Sequence, residues 1–455
     1  MFPNISLNRR MPNGTSGGVR GARFSSPYSI LHRRTLLSSA SLQSGLTSEL
    51  FGGRVCACLE CIPLMKHNGV KEGSASLPCA PNYLLRIMSL PFRLNRALEK
   101  LPVYLPGRPI EEVARELGLD PEGIIKLASN ENPLGPSPKA MEAVQKAASA
   151  MNIYPDGSSF RLKKRVSEKL NLPINCISFG NGSNELLELI GHAVLQPGDE
   201  CVMSQYCFAV YPIVTRLFNA EIIMVPAKNY GNDLEAMLKA ITPNTRIVFL
   251  ANPNNPTGTA LTQEELDDFI TKVPEETLIV LDEAYTEYQD NPPDFLPLVR
   301  EGKKSNLVIC RTFSKIYGLA GLRIGLSVAC PEFTAALEKV REVFNTSSLA
   351  QEAVLAALDD VEFLEKARRV NKEGLDYLQG EFSRMKLEYV PSVANFVLVK
   401  TGNGKRVFEE LQRAGIIVRP VANYNLPEWV RITVGTPEQN QRFIRELKRI
   451  LPVLA

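Results

Sequence analysis

The chain has 455 residues, 44% of them hydrophobic and 22% charged, the balance of a globular protein with room for two or three domains. No run approaches the roughly 18 apolar residues of a membrane-spanning helix, and the net charge of +3 hides an uneven distribution. Residues 1–87 hold ten Lys or Arg against three Glu, whereas the remainder is mildly acidic, so no basic face points to nucleic acid.

The first 87 residues have no acidic side chain before Glu49 and are rich in Arg, Ser and Gly. They lack the apolar core of a secretory signal. Their composition fits an organellar transit peptide, and fits equally sequence lying upstream of a start at Met88, where "MSLPFRLNRALEKLPVYLPG" begins. Either way residues 1–87 are expected to lie outside the folded protein. The expected location is the cytoplasm, or a plastid or other organelle if the leader is a targeting signal. "CACLEC", with Cys56, Cys58 and Cys61, has the look of a metal-binding run, but no matching Cys or His pair follows at tetrahedral spacing, so no metal site is expected. The five cysteines from Cys176 onward sit in apolar runs and read as reduced core residues.

From about Asp120 strands alternate with helices. "ELLELIGHAVL" reads as an amphipathic helix containing His192, the sole histidine of the body of the chain. A Ser-His-Asp, Cys-His or His-rich zinc site would have to be built on that one imidazole, which points to a different acid–base group. "RIVFLA" (246–251), "TLIVLD" (277–282) and "NLVIC" (306–310) are apolar on both faces, as buried parallel strands are. "LTQEELDDFITKV" opens with Thr262 and Glu265 in capping-box spacing. After Pro331 a long helical region leads to "NFVLVK", "GIIVRP" and "WVRITV", strands of a smaller sheet. The final helix carries Thr436 as cap, Pro437 in its first turn and Gln439 completing the box. The fold class expected is α/β, a large domain around a mostly parallel doubly wound sheet with a smaller C-terminal α+β domain. Its expected divisions are an N-terminal arm at 88–125, a large domain at 126–335 and a small domain at 336–455.

Ligands of open parallel sheets sit beyond the carboxyl ends of the strands. "ANPNNPTG" (251–258), "DEAY" (282–285) and "RTFSK" (311–315) leave three such ends, and "GNGSNELLELI" (180–190) is a glycine turn entering a helix, a ready anion site. Between Arg311 and Arg323 the only charged side chain is Lys315, an ammonium that is costly to desolvate unless it is used. A phosphorylated pyridine aldehyde accounts for the whole set. Lys315 would form a Schiff base with it, Asp282 would hold the ring nitrogen protonated, and Asn255 and Tyr285 would bind the ring hydroxyl. Thr312, Ser314 and Arg323 would neutralise the phosphate.

"NENPLGPSP", "YPDG", "GNGSNE", "NPNNPTG", "DEAY", "RTFSKIYGLAGLRIG" and "VRITVGTPEQN" follow one another in this order. Over residues 88–455 the chain resembles the fold type I aminotransferases that use pyridoxal 5'-phosphate, and specifically the histidinol-phosphate aminotransferases. The resemblance makes Lys315 the Schiff-base lysine and general base, with Asp282, Asn255 and Tyr285 on the ring. It gives the phosphate to the backbone of Ser183 and Asn184, to Thr312, Ser314 and Arg323, and to Tyr154 from the partner subunit of a homodimer. It stacks Phe208 on the ring, assigns the substrate's anionic end to Arg431 and Arg419, and brings Tyr104 near the substrate. Phe208 and Tyr211 also read as core aromatics, and Arg419 as a surface or interdomain ion pair. "MSQYCFAVY" departs from the "PTY/PTF" wording common before the stacking aromatic, which bears on substrate choice more than on cofactor binding.

The reaction implied is transamination between histidinol phosphate and 2-oxoglutarate, giving glutamate, in histidine biosynthesis. The rivals within enzymes are an aromatic amino-acid aminotransferase and a phospho-threonine decarboxylase. A cofactor-sensing regulator of the same fold would need a DNA-binding module, and residues 1–87 show no such helical periodicity.

Overall fold

A computed structural model describes residues 92–454 except 100, 102 and 104–106. The expected leader, Cys56, Cys58, Cys61 and Tyr104 lie outside the described residues. Strands form at β1 (Ile125–Lys126), β2 (Ile177–Gly180), β3 (Glu200–Ser204), β4 (Glu221–Val225), β5 (Thr245–Ala251), β6 (Leu278–Asp282), β7 (Leu307–Thr312) and β8 (Gly325–Val328). They continue at β9 (Tyr389–Val390), β10 (Phe396–Lys400), β11 (Ile416–Ile417), β12 (Arg419–Val421) and β13 (Leu426–Thr433).

The large sheet has the order β2-β8-β7-β6-β5-β3-β4, and within it β8 alone runs against its neighbours. Successive residues of a strand face opposite ways, and the apolar contacts divide accordingly. Val248, Leu250, Ile279, Leu281 and Ile309 face one core, shared with Leu266, Phe269 and Ile270 of the helix Gln263–Lys272. Phe249, Val280, Val308 and Cys310 face the other, shared with Leu186 and Ile190 of the helix Ser183–Val194 and with Tyr211 and Val214 of Val210–Leu217. Both faces are covered, which is why these strands are apolar throughout. The sheet is the doubly wound one the alternation predicts.

The smaller sheet, β12-β13-β10-β9, is antiparallel. It packs on the helices Val361–Arg384, Gly404–Arg413 and Pro437–Leu454 through Leu378, Phe382, Leu411, Phe443 and Leu447. "GIIVRP" differs from expectation by splitting in two. Its first half, β11, pairs with β1, and its second, β12, is an edge strand on β13. Pro420 has no N–H for a ladder, and an edge position tolerates it.

Pairing of β1 with β11 has a consequence for the residues that follow it. Leu127 N–H donates to Ile417 O at 2.7 Å, and Thr433 N–H donates to Leu127 O at 2.9 Å. The segment 128–131 is thereby drawn from the small sheet toward the ends of the large one. Among the described residues no helix is long and apolar enough to cross a membrane, and no His, Cys, Asp and Glu cluster could hold a metal.

Candidate active site

In the register of the large sheet Ala251 lies opposite Asp282, and Asp282 opposite Cys310, so the polar loops after β5, β6 and β7 leave at one level. Beyond them is a cavity of about 410 Å³. Ser183, Asn184, Phe208, Asn255, Asp282, Tyr285, Thr312, Ser314, Lys315, Arg323, Arg419 and Arg431 all line it. The residues picked from separate motifs therefore meet in one place. Tyr154 does not line it. It is 79% exposed and stacks on Phe344 with ring centroids 4.7 Å apart.

One end of the cavity is built for an anion. Gly182, at φ +79°, caps the helix Ser183–Val194 with no side chain over its first turn, which leaves N–H groups there without intrahelical partners. Gly180 on β2 pairs with Gly325 on β8, bringing Arg323 to the same spot. A Cβ on Gly325 would lie 2.5 Å from the backbone nitrogen of Ser183, and one on Gly182 would lie 2.4 Å from Arg323 Nη2. Only glycine allows this approach. Thr312 Oγ1 donates to Ser314 Oγ at 3.0 Å, and Arg323 Nη1 reaches Ser314 Oγ at 3.5 Å and Ala320 O at 3.0 Å.

In the middle stand the titratable groups. Lys315 Nζ donates to Ser129 O at 3.2 Å and lies 5.6 Å from the centroid of Tyr285. Burial, then repulsion by Arg431, pulls its pKa down to about 8. Asp282 is 4% exposed. Burial raises its pKa against hydrogen bonds from Tyr211 Oη (2.8 Å) and Ala284 N–H (3.1 Å). The next residue, Glu283, is buried too and paired with Arg311 at 2.7 Å. Phe208 stands edge-on to Tyr211 at 5.7 Å, and Tyr211 stacks on Phe249 at 4.8 Å.

At the far end Arg431 Nη1 donates to Asn255 Oδ1 at 2.5 Å and Nη2 to Ala128 O at 2.8 Å. Arg419 lies beside it in the register of β12 on β13. The 128–131 segment, which overlaps "NENPLGPSP", supplies residues that the motifs do not single out. Asn130 Nδ2 donates to Tyr285 Oη at 2.9 Å, and Glu131 lines the cavity. Tyr211 reads in the sequence as a core aromatic, and the structure gives its hydroxyl to Asp282. A buried tyrosine hydroxyl needs a partner, and that was the available signal.

The profile of aminotransferase classes I and II matches residues 122–447. The chain is 51% identical over 365 residues to a histidinol-phosphate aminotransferase of Akkermansia muciniphila, spanning 80% of this chain and 100% of that relative. It is 48% identical over 357 residues to histidinol-phosphate aminotransferase 2 of Pseudomonas fluorescens, spanning 78% of this chain and 96% of the relative. Among solved structures, that of histidinol-phosphate aminotransferase from Sinorhizobium meliloti in complex with pyridoxal-5'-phosphate superposes with a TM-score of 0.74. It is 29% identical, over 81% of this chain and 100% of that one. The chain belongs to the family of class I and II aminotransferases, in the branch whose similar members are histidinol-phosphate aminotransferases.

Proposed function

We propose that the chain is a pyridoxal-phosphate-dependent transaminase that converts L-histidinol phosphate and 2-oxoglutarate to imidazole-acetol phosphate and L-glutamate. One observation carries the reading: a lysine of lowered basicity and a buried carboxylate share a cavity that has an anion cradle at one end and two arginines at the other. The residues fit the cofactor. The glycine-lined approach of Arg323 to the Ser183 turn suits a phosphate, and the same cavity is lined by Lys315, Asp282, Asn255 and Tyr285.

When bound, the cofactor supplies an aldehyde for the substrate amine and a ring that accepts the electrons of a deprotonated Cα. Ser183, Asn184, Thr312, Ser314 and Arg323 would hold its phosphate, and Asp282 would hold a proton on the ring nitrogen. Phe208 would cover the ring, while Asn255 and Tyr285 would bind its hydroxyl. Lys315 Nζ, once its amine is free, takes the proton from the substrate Cα and returns it during turnover. A pKa of about 8 leaves part of that amine neutral at ordinary pH. Arg431 and Arg419 face the substrate's anionic end, where a planar fork suits phosphate in one half-reaction and carboxylate in the other.

The working form is a homodimer with Tyr154 reaching the partner's phosphate, in the cytoplasm. Tyr154, Met151, Ile153, Phe160 and Val343 are all more than half exposed, an apolar group that supports an interface. Residues 126–335 form the large domain and 336–455 the small one, with 88–125 as the joining arm. The test is single-turnover conversion of bound cofactor to its amine form by histidinol phosphate, phenylalanine, tyrosine and phospho-threonine in parallel. Histidinol phosphate should react fastest, and a preference for any other of the four overturns the substrate.

A further inference from the structure

Two side-chain amides aim their N–H groups at the oxygen of Tyr285. Asn130 Nδ2 donates at 2.9 Å and Asn255 Nδ2 at 3.3 Å. Each amide is held in that sense by a residue of β13. Arg431 Nη1 donates to Asn255 Oδ1 at 2.5 Å, and a guanidinium has donors only, so the amide oxygen faces Arg431 and the NH₂ faces Tyr285. Thr433 Oγ1 accepts the backbone N–H of Asn130 at 2.9 Å and gives its own hydrogen to Asn130 Oδ1 at 3.2 Å. That pins the second amide the same way. Asn395 Nδ2 holds Asn130 O at 2.9 Å, and Asn130 sits at φ +57°, where Asn, Asp and Gly are at home. Arg431 and Thr433 are two residues apart on one strand and so face the same side.

A phenol oxygen that accepts two amide hydrogens keeps its own hydrogen for a third direction. Burial pushes the pKa of Tyr285 up to about 12, against the charge of Arg431, so the phenol carries that hydrogen. We propose that β13, acting through Asn130 and Asn255, polarises Tyr285 so that its O–H donates into the cavity, with Asn130 and Thr433 as the positioning residues for that proton. The inference rests on the cavity's being a pyridoxal phosphate site, where the recipient is the ring's hydroxyl oxygen. A donor there favours the anionic form of that oxygen. It therefore holds down the pH midpoint at which the bound cofactor's visible absorbance changes. The other charged or titratable groups facing Tyr285 are Lys315, Asp282, Arg431, Tyr424 and Tyr288, and substitutions at 130 and 433 leave all five in place.

The experiment is a spectrophotometric pH titration of the holoenzyme. Asn130→Asp keeps the shape and the tolerated backbone but can only accept, so it draws the Tyr285 proton away from the cavity. Its midpoint should rise by about one pH unit, the size of one hydrogen bond to a charged group. The new carboxylate also favours the protonated form, so the same substitution is made in Tyr285→Phe, where only the charge effect survives and the rise should be smaller. Thr433→Val adds no charge and frees the Asn130 amide. It should raise the midpoint in the wild-type background and leave it unmoved in Tyr285→Phe, and it carries the test if Asn130→Asp does not fold. Equal shifts with and without the Tyr285 hydroxyl, or no shift from Thr433→Val, overturn the inference. A wild-type chain that takes up no cofactor overturns instead the reading of the site beneath it.

Discussion

Tyr211 gives its phenolic hydrogen to Oδ2 of Asp282 at 2.8 Å, from a helix packed on one face of the large sheet to the end of its central strand β6. Burial favours the neutral form of Asp282, and this bond is the largest opposing influence. A carboxylate opposite a ring nitrogen is useful only while charged. Tyr211→Phe keeps the stack on Phe249 and removes the donor alone. It should lower kcat by about ten- to a hundredfold, the worth of a hydrogen bond to a buried charge, while cofactor content stays near wild type. The acid limb of the pH–rate profile should move to higher pH. An unchanged kcat across that profile refutes the role given to Tyr211.

Lys315 makes the cofactor-free protein sensitive to alkali in a defined sense. Its folded pKa is about 8 against an ordinary 10.5, so the unfolded chain binds more protons between those values. Stability then rises with pH across that window, and the cost of burying the ammonium is present in full below it. Lys315→Met removes the titration without opening a large hole. The stability of the wild-type apoprotein relative to Lys315→Met, measured by urea unfolding, should climb from about pH 8 to about pH 10.5. A flat difference means that Lys315 keeps an ordinary basicity.

The anion cradle depends on two glycines that a single methyl group tests. A Cβ at Gly325 would meet the backbone nitrogen of Ser183, which has no freedom to step aside, whereas at Gly182 it would meet the end of the Arg323 side chain. Gly325→Ala should therefore weaken pyridoxal phosphate binding by at least tenfold in equilibrium dialysis. Arg323→Ala should weaken it similarly by removing the charge. Wild-type affinity in Gly325→Ala would show that the phosphate sits elsewhere.

The large sheet was legible because a parallel strand covered on both faces must be apolar throughout, as "RIVFLA" (246–251), "TLIVLD" (277–282) and "NLVIC" (306–310) are on both faces. Lys315 was legible for the opposite reason, as a charge that such surroundings do not tolerate idly, and Asp282 because "DEAY" leaves the carboxyl end of a strand, where ligands of parallel sheets sit. The β1–β11 pairing was not legible, since two-residue strands carry no periodicity and their partners lie 291 positions apart in the register Ile125 to Ile416. Asn130 stayed hidden for the same cause. Its role depends on Thr433, 303 residues away, and nothing local to "NENPLG" announces that contact.

Glu283 and Arg311 join β6 to β7 through a buried ion pair, with side-chain exposures of 3% and 17%. Arg311→Met leaves the carboxylate buried without its partner, which should cost about 3–5 kcal/mol of unfolding free energy near pH 8. Without Arg311, burial holds the Glu283 pKa above its unfolded value, so the loss should shrink as pH falls and the group takes up a proton. Thermal unfolding of the variant at several pH values reads both effects. A loss that grows on acidification contradicts the pairing.

Tyr154 decides whether the site is shared between subunits. It is exposed on the same chain whose cavity holds Lys315, so a protomer lacking one residue can still lend the other. Lys315→Ala and Tyr154→Ala homodimers should each be nearly inactive at limiting cofactor. Mixed, dissociated and reassociated, they form hybrids in which one site carries both defects and the other carries neither. Random pairing makes half the dimers hybrid, each with one sound site, so activity should recover to roughly a quarter of wild type. A mixture that stays as inactive as its components places Tyr154 in its own subunit's site, and a fully active Tyr154→Ala homodimer places it outside any site. Recovery near the expected level requires that Tyr154 complete the partner's cradle, since only then does the Lys315→Ala protomer return a tyrosine to the site that keeps its lysine.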